Sequence, residues 1–352
     1  MSRLVVFSFL VTLFWCNSQV KQPDSLMSQF DKWIGEFLGV SGKDLTGMNL
    51  RNVDLSKLVF DSFTRWPSAE WMPERFEPEK VIEWGKTPGL GIKALHARGI
   101  TGKGVHVAVI DQPLLKDHIE YLSQLLQYTL IDCEGVGPQI HGAVASLFVG
   151  QHCGVAPGAL LHYWAEPMWK KEYRTRCEAL SQIIQCNKDM SLADKIQVVS
   201  VSLGFREGEP ALDEWKHLLD SAKSQGIYVV HCDDAMHGVG CPVFSDKDDP
   251  GSYDLCYFSL EGGSKGGDAL YAPIDNRTTG HFKHKEGYIF WWNGGLSWGA
   301  PFIAGVVALG FQVNPNLTPD QVRECLYSTG TPFKRGRIIN PAAFVAKVVS
   351  LK

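Results

Sequence analysis

The sequence predicts an α/β protein in three layers, a mostly parallel sheet with helices on both faces, plus a small N-terminal extension. Two observations carry this reading. Short, continuous apolar runs at 105–110 (VHVAVI), 159–165, 196–203 and 227–230 have the character of strands buried on both faces, the first bounded by Gly104 and Asp111. Helical stretches lie between them, near 141–149, 173–187 and 211–225, and this alternation implies parallel strands covered on both sides. In such sheets functional groups gather at the carboxyl ends of strands, which directs attention to Asp111 and to the residues after Val230.

The 352 residues are 45% hydrophobic and 20% charged, enough for one large domain with an extension and ordinary for a packed fold. Lys and Arg number 34 against 38 Asp and Glu, and no long block of one sign occurs, so the footprint of a nucleic-acid binder is missing. Arg3 precedes a 12-residue uncharged run from Leu4 to Trp15, too short to span a bilayer, with Cys16 and Ser18 forming an acceptable cleavage site. Residues 1–18 therefore read as a signal peptide, and the protein as secreted or extracytoplasmic. No other stretch is expected to span a membrane. Removing the leader reduces nine cysteines to eight. Cys177 and Cys186 sit nine residues apart in an expected helix, roughly 13 Å along its axis, too far for one bridge. No zinc-binding spacing is present, and His281 and His284 lack matching ligands nearby.

Residues 19–88 read as an N-terminal accessory segment. Within 44–61, Leu45, Leu50, Leu55 and Phe60 recur every five residues, with Met48, Val53 and Leu58 two positions before the last three, which resembles a short pentapeptide repeat. So few units have to lean on another surface. The Trp-, Pro- and Glu-rich stretch 62–88 follows as an ordered connector, and residues 89–352 as the main domain.

Three residues carry the candidate chemistry. Ser297, in GGLSWGAPFIAGVVALG, stands where glycines give way to a long apolar helix. Free N–H groups and the positive end of the helix dipole would there face an oxyanion, and Pro301 is expected in the first turn. The local G-x-S-x-G pattern also suits an esterase elbow, but that fold needs a histidine after the serine, and the last one here is His284. His141, at the start of a helix beside Gly142, is the best upstream base. Asp111 ends the first buried strand, and the order Asp, His, Ser is that of subtilisin.

From about Gly91 to Pro332 the chain resembles the subtilisin-like serine peptidases, the S8 family. GKGVHVAVIDQPLLKDHIEY is similar to the family's acid block, IHGAVASLFVGQHCGVAPGALL to its histidine block, VVSVSLG to its substrate-binding strand, and GGLSWGAPFIAGVVAL to its serine helix. The resemblance implies a serine endopeptidase with Ser297 as nucleophile, His141 as general base and then acid, and Asp111 orienting the imidazole. Ser202, Leu203 and Gly204 would bind an extended protein or peptide substrate as an added strand. His118 is expected to be structural. The family's oxyanion Asn is absent; the segment YVVHCDDAMHG puts Ala235 at its position, with Asp234 beside it as the oxyanion candidate. Only a protonated Asp donates a hydrogen bond, and losing such a donor costs about 10² to 10³ in turnover. Leu296 and Pro113 stand where the family has Thr and Gly. A catalytically weak or inactive homologue that binds peptides is thus the alternative. No cofactor or metal is expected, since the acidic residues Asp246, Asp248 and Asp249 match no calcium motif. A monomer is expected.

Overall fold

A computed structural model describes residues 23–34, 36–170, 173–232, 236–256 and 269–352. The leader reading of residues 1–18 and the oxyanion candidate Asp234 lie outside them. In chain order the elements are α1 (Pro23–Ile34), β1 (Phe60–Asp61), α2 (Pro78–Lys86), α3 (Ile92–Ala97), β2 (His106–Asp111), β3 (Leu125–Leu130), α4 (Ala145–Val149), β4 (Leu160–Ala165), α5 (Arg174–Asp189), β5 (Ile196–Val201) and α6 (Leu212–Ser224). There follow β6 (Tyr228–His231), β7 (Met236–Gly240), β8 (Asp254–Leu255), β9 (Ala269–Asp275), β10 (Arg277–Gly280), β11 (Tyr288–Trp291), α7 (Leu296–Val313), α8 (Pro319–Thr329), β12 (Thr331–Phe333), β13 (Gly336–Ile338) and α9 (Pro341–Val349).

The central sheet is parallel, in the order β3-β4-β2-β5-β6. Side chains alternate along a strand, so Val107 and Val109 of β2 pack into one layer and Ala108 and Ile110 into the other. The first layer contains α4, α7 and α9; the second contains α5 and α6, through residues such as Leu180, Ile183 and Trp215. This is the three-layer α/β arrangement that the sequence predicts. Two further sheets complete it, one mixed (β12-β13-β9-β7-β8) and one antiparallel (β1-β11-β10). They escape sequence reading because β9 contains Pro273, while β10 is four residues long and buries Arg277, Thr278 and Thr279.

Helix α7 corrects two expectations. Pro301 is its sixth residue, past the first turn, so the missing N–H leaves the Ser297 carbonyl without its usual i+4 donor. At 18 residues α7 is also long and apolar enough to cross a membrane, but it is the core helix, buried over most of its length.

The segment 36–88 is packed into the body of the molecule. Asp44, Asn49 and Asp54 each accept a hydrogen bond from the backbone N–H two residues on. The leucines that follow them, Leu45, Leu50 and Leu55, are buried together with Phe60, Tyr288 and Phe290. β1 pairs antiparallel with β11, Phe60 opposite Phe290. The buried Lys247 ammonium donates to the carbonyls of Trp84 (3.0 Å), Thr87 (3.1 Å) and Asn276 (3.3 Å).

Asp61 joins the two parts. Its Oδ1 accepts from the N–H groups of Phe63 (2.9 Å) and Gly42 (3.0 Å), and Oδ2 lies 3.3 Å from His281 Nε2. Burial alone would raise its pKa, but the bonds from His281, Gly42, Phe63 and Thr64 outweigh that and hold it below the usual carboxylate value. A carboxyl depressed on folding contributes stability above its unfolded pKa and loses it as pH falls through the folded one. Asp61→Ala should therefore cost about 2–4 kcal/mol at neutral pH, with a smaller cost in acid, read by denaturant unfolding at the two pH values.

Candidate active site

The site is assembled at the carboxyl edge of the parallel sheet. Asp111 is the last residue of β2, is fully buried, and accepts a hydrogen bond on Oδ1 from the Gln112 N–H (2.7 Å). His141 stands in a 3₁₀ turn (Ile140–Val144) that leads into α4. The two meet because Gly142 has no side chain. A Cβ there would lie 2.5 Å from the Pro113 carbonyl oxygen and 2.7 Å from Leu114 Cα, so only glycine lets the backbone after Asp111 run against the histidine turn. The Gln139 N–H closes the contact by donating to the Pro113 carbonyl (2.8 Å).

His141 Nδ1 is 3.4 Å from Asp111 Oδ1, an ion-pair distance longer than a hydrogen bond, and the buried Nδ1 has no hydrogen-bond partner. Burial opposes protonation of the imidazole, but the adjacent Asp111 carboxylate outweighs it and holds the His141 pKa above the ordinary histidine value. The Trp298 ring packs edge-on against the imidazole, with centroids 5.6 Å apart.

Ser297 is the second residue of α7, so its N–H belongs to the first-turn donors that have no partner within the helix. Its hydroxyl donates to the Ser202 carbonyl (3.0 Å), which directs its single proton at the strand rather than at His141. Ser202, Leu203 and Gly204 follow β5 directly and line the same cleft as His141 and Ser297, a space of about 1220 Å³. Gly204 is required there, since a Cβ would come 1.7 Å from the Cys232 carbonyl oxygen at the end of β6.

Further residues line this cleft without having been anticipated. Asn293, four positions before Ser297 in WNGGLSWG, is one of them, and its setting between Trp292 and two glycines was the available signal. Glu166 and Arg176 form a buried pair (3.2 Å) along it, with the Thr175 hydroxyl donating to the second Glu166 oxygen (2.8 Å). Burial raises the Glu166 pKa against the opposing pull of Arg176. Phe37, Trp291 and Trp298 add an aromatic wall. His118 is fully buried, and its ring nitrogens meet the Gly287 carbonyl and the Glu120 N–H, a structural setting away from the cleft. Asp246, Asp248 and Asp249 accept backbone N–H bonds within their own loop or from Gly91, and among the described residues no three His, Cys, Asp or Glu side chains group to hold a metal. Cys133, Cys153, Cys177, Cys186, Cys241 and Cys325 are free thiols.

No family model matches the chain. Subtilisin NAT from Bacillus subtilis subsp. natto is 26% identical over 333 residues, covering 88% of this chain and 84% of that protein. The subtilisin-like protease PopC from Myxococcus xanthus is 24% identical over 288 residues, and the match spans 70% of this chain and 59% of PopC. Among solved structures, a chain of the subtilase cytotoxin SubAB superposes with a TM-score of 0.61 at 17% identity, over 76% of this chain and 97% of that one. Fervidolysin from Fervidobacterium pennivorans, a keratinolytic enzyme related to subtilisin, gives a TM-score of 0.54 at 17% identity, over 75% of this chain and 45% of its own. The chain is thus similar in sequence to curated subtilisins and in fold to solved subtilases. The likeness to the solved structures covers the parallel α/β fold described above.

The glycine loop of this subtilisin-like site is held by Asp275, whose Oδ1 accepts from the Gly294 N–H (3.0 Å). Burial pushes the Asp275 pKa up to about 6, against the pull of that bond. A carboxyl raised on folding loses stability as pH climbs from its unfolded value to its folded one. Asp275→Asn keeps the acceptor and removes the charge. It should stabilise the protein by about 1–3 kcal/mol at pH 8 and converge on the parent near pH 4, as measured by equilibrium denaturation.

Proposed function

We propose that the chain is a serine endopeptidase acting through Asp111, His141 and Ser297. The observation that carries this is the meeting of His141 and Ser297 in one cleft with the Ser202–Gly204 segment that follows β5, with Asp111 buried behind the imidazole. An extended substrate would pair with that segment, carrying its scissile carbonyl to Ser297. Rotation of the hydroxyl away from the Ser202 carbonyl frees its proton for His141 Nε2, and Oγ attacks the carbonyl carbon. The Asp111 carboxylate stabilises the imidazolium, which then protonates the leaving amine. Water, activated by the neutral imidazole, hydrolyses the acyl-enzyme and restores Ser297. The Ser297 N–H supplies one oxyanion donor, with Asn293 or a protonated Asp234 as the second. Export of the protein rests on the leader pattern at residues 1–18, and residues 89–352 are taken as the peptidase domain.

A second reading is a weak or inactive homologue that binds peptides. It is favoured by the missing amide after β6, where the sequence has Asp233, Asp234 and Ala235.

Incubation of the full chain with an unfolded protein, with fragments mapped by mass spectrometry, should give internal cleavages that Ser297→Ala abolishes. Products equal to those of the Ser297→Ala control would refute the assignment. The acid limb of kcat/KM should have an apparent pKa above about 6.5, because His141 acts as a base only when neutral and Asp111 raises its pKa. Asp111→Asn should lower kcat by about 10⁴ and move that limb to lower pH.

A further inference from the structure

Phe37 is 66% exposed, although it belongs to a segment whose other large apolar residues are mostly buried. It is also fixed. Gly39 takes a left-handed φ of 53°, and a Cβ on it would lie 2.4 Å from the Val59 carbonyl oxygen, so the turn that carries Phe37 is pressed against the backbone leading into β1. The Val40 N–H donates to that same carbonyl (2.9 Å). An exposed aromatic side chain on a pinned turn has little backbone freedom left to surrender on binding.

Its surroundings run to the catalytic residues. The Phe37 ring lies 5.4 Å from that of Trp291, Trp291 lies 5.5 Å from Trp298, and Trp298 lies 5.6 Å from His141. Trp291 and Trp298 are almost fully buried, so they form a wall, and Phe37 is the ring left open at its outer end. All four residues line the one cleft. The acyl side of a substrate is claimed by Ser202–Gly204. His141 hands its proton to the leaving amine, so the chain beyond the scissile bond has to leave past the imidazole, where this wall begins.

We propose that the N-terminal segment is a working part of the substrate site, and that Phe37, with Trp291, receives an apolar side chain of the substrate two or three residues past the scissile bond. The inference rests on the peptidase reading of the cleft. The spacing follows from the ring-to-ring distances beyond Trp298, set against a rise of about 3.3 Å per residue of extended chain.

The test uses the full chain and fluorogenic peptides of one fixed acyl half, with Phe, Leu, Gly or Asp at the second and third positions past the scissile bond. The parent should prefer Phe or Leu over Gly by about tenfold in kcat/KM at one of these positions. Phe37→Ala should reduce that ratio to about twofold or less, and Phe37→Trp should restore it; a ratio is immune to a general loss of activity. A parent that cleaves the peptides without preference, or a preference unchanged in Phe37→Ala, overturns the inference and leaves the peptidase reading standing. If the parent cleaves none of them, that reading fails first. The same peptides, labelled and titrated by anisotropy against Ser297→Ala protein, then decide: about tenfold weaker binding of the Phe peptide on adding Phe37→Ala supports the Phe37 subsite, and equal binding overturns it.

Discussion

An 18-residue helix with almost no polar face has to be enclosed, and the enclosure of α7 sets the rest of the structure. Strand β5, strand β9, helix α4 and helix α9 pack round it. Gly305 allows a further contact, with the turn between α4 and β4, since a Cβ there would come 2.4 Å from Val155 Cβ. Once α7 is locked in the core, its first turn can only emerge at the carboxyl edge of the parallel sheet, beside Ser202 and below the histidine turn. The serine is therefore positioned by burial of apolar surface in residues that never touch a substrate, and burial at about 25 cal/mol per Å² is large for a helix of this size.

The approach of Asp111 to His141 depends on a different constraint, the meeting of two backbones permitted by Gly142. That contact brings the last residue of β2 to the imidazole without any side chain in between. Because Asp111 is buried, its charge is poorly screened, and this is why it overrides the burial penalty on His141. The 3.4 Å separation and the Ser297 hydroxyl turned to Ser202 leave the three side chains unjoined by a hydrogen-bond chain. Catalytic hydrogen bonds commonly tighten when substrate displaces such alternatives.

The parallel strands were legible because each is buried on both faces and reads as an unbroken apolar run, as in VHVAVI. That Asp111, His141 and Ser297 come together was legible because each lies at a junction of local pattern, strand end, helix start or glycine loop. β10 was not, since a strand that buries Arg277 and two threonines has no apolar signature. The position of Pro301 was misjudged because helix α7 starts at Leu296, before Ser297, rather than after it. Phe37 and Asn293 were missed for a different reason. Neither has a local motif, and only the tertiary fold brings a turn near residue 37 to the loop at 293. The five-residue recurrence of leucines did announce a face that needed covering, and that face lies on β11, the strand that feeds the serine loop.

The central claim is that Ser297 is an activated nucleophile, and a fluorophosphonate probe tests it most directly. Folded full-length protein treated with the probe and mapped by peptide mass should carry one adduct, on Ser297, with fluoride lost. The adduct should be absent in Ser297→Ala and formed about 100-fold more slowly in His141→Ala. Folded protein that takes up no label, or takes up as much label in Ser297→Ala as in the parent, would contradict the account.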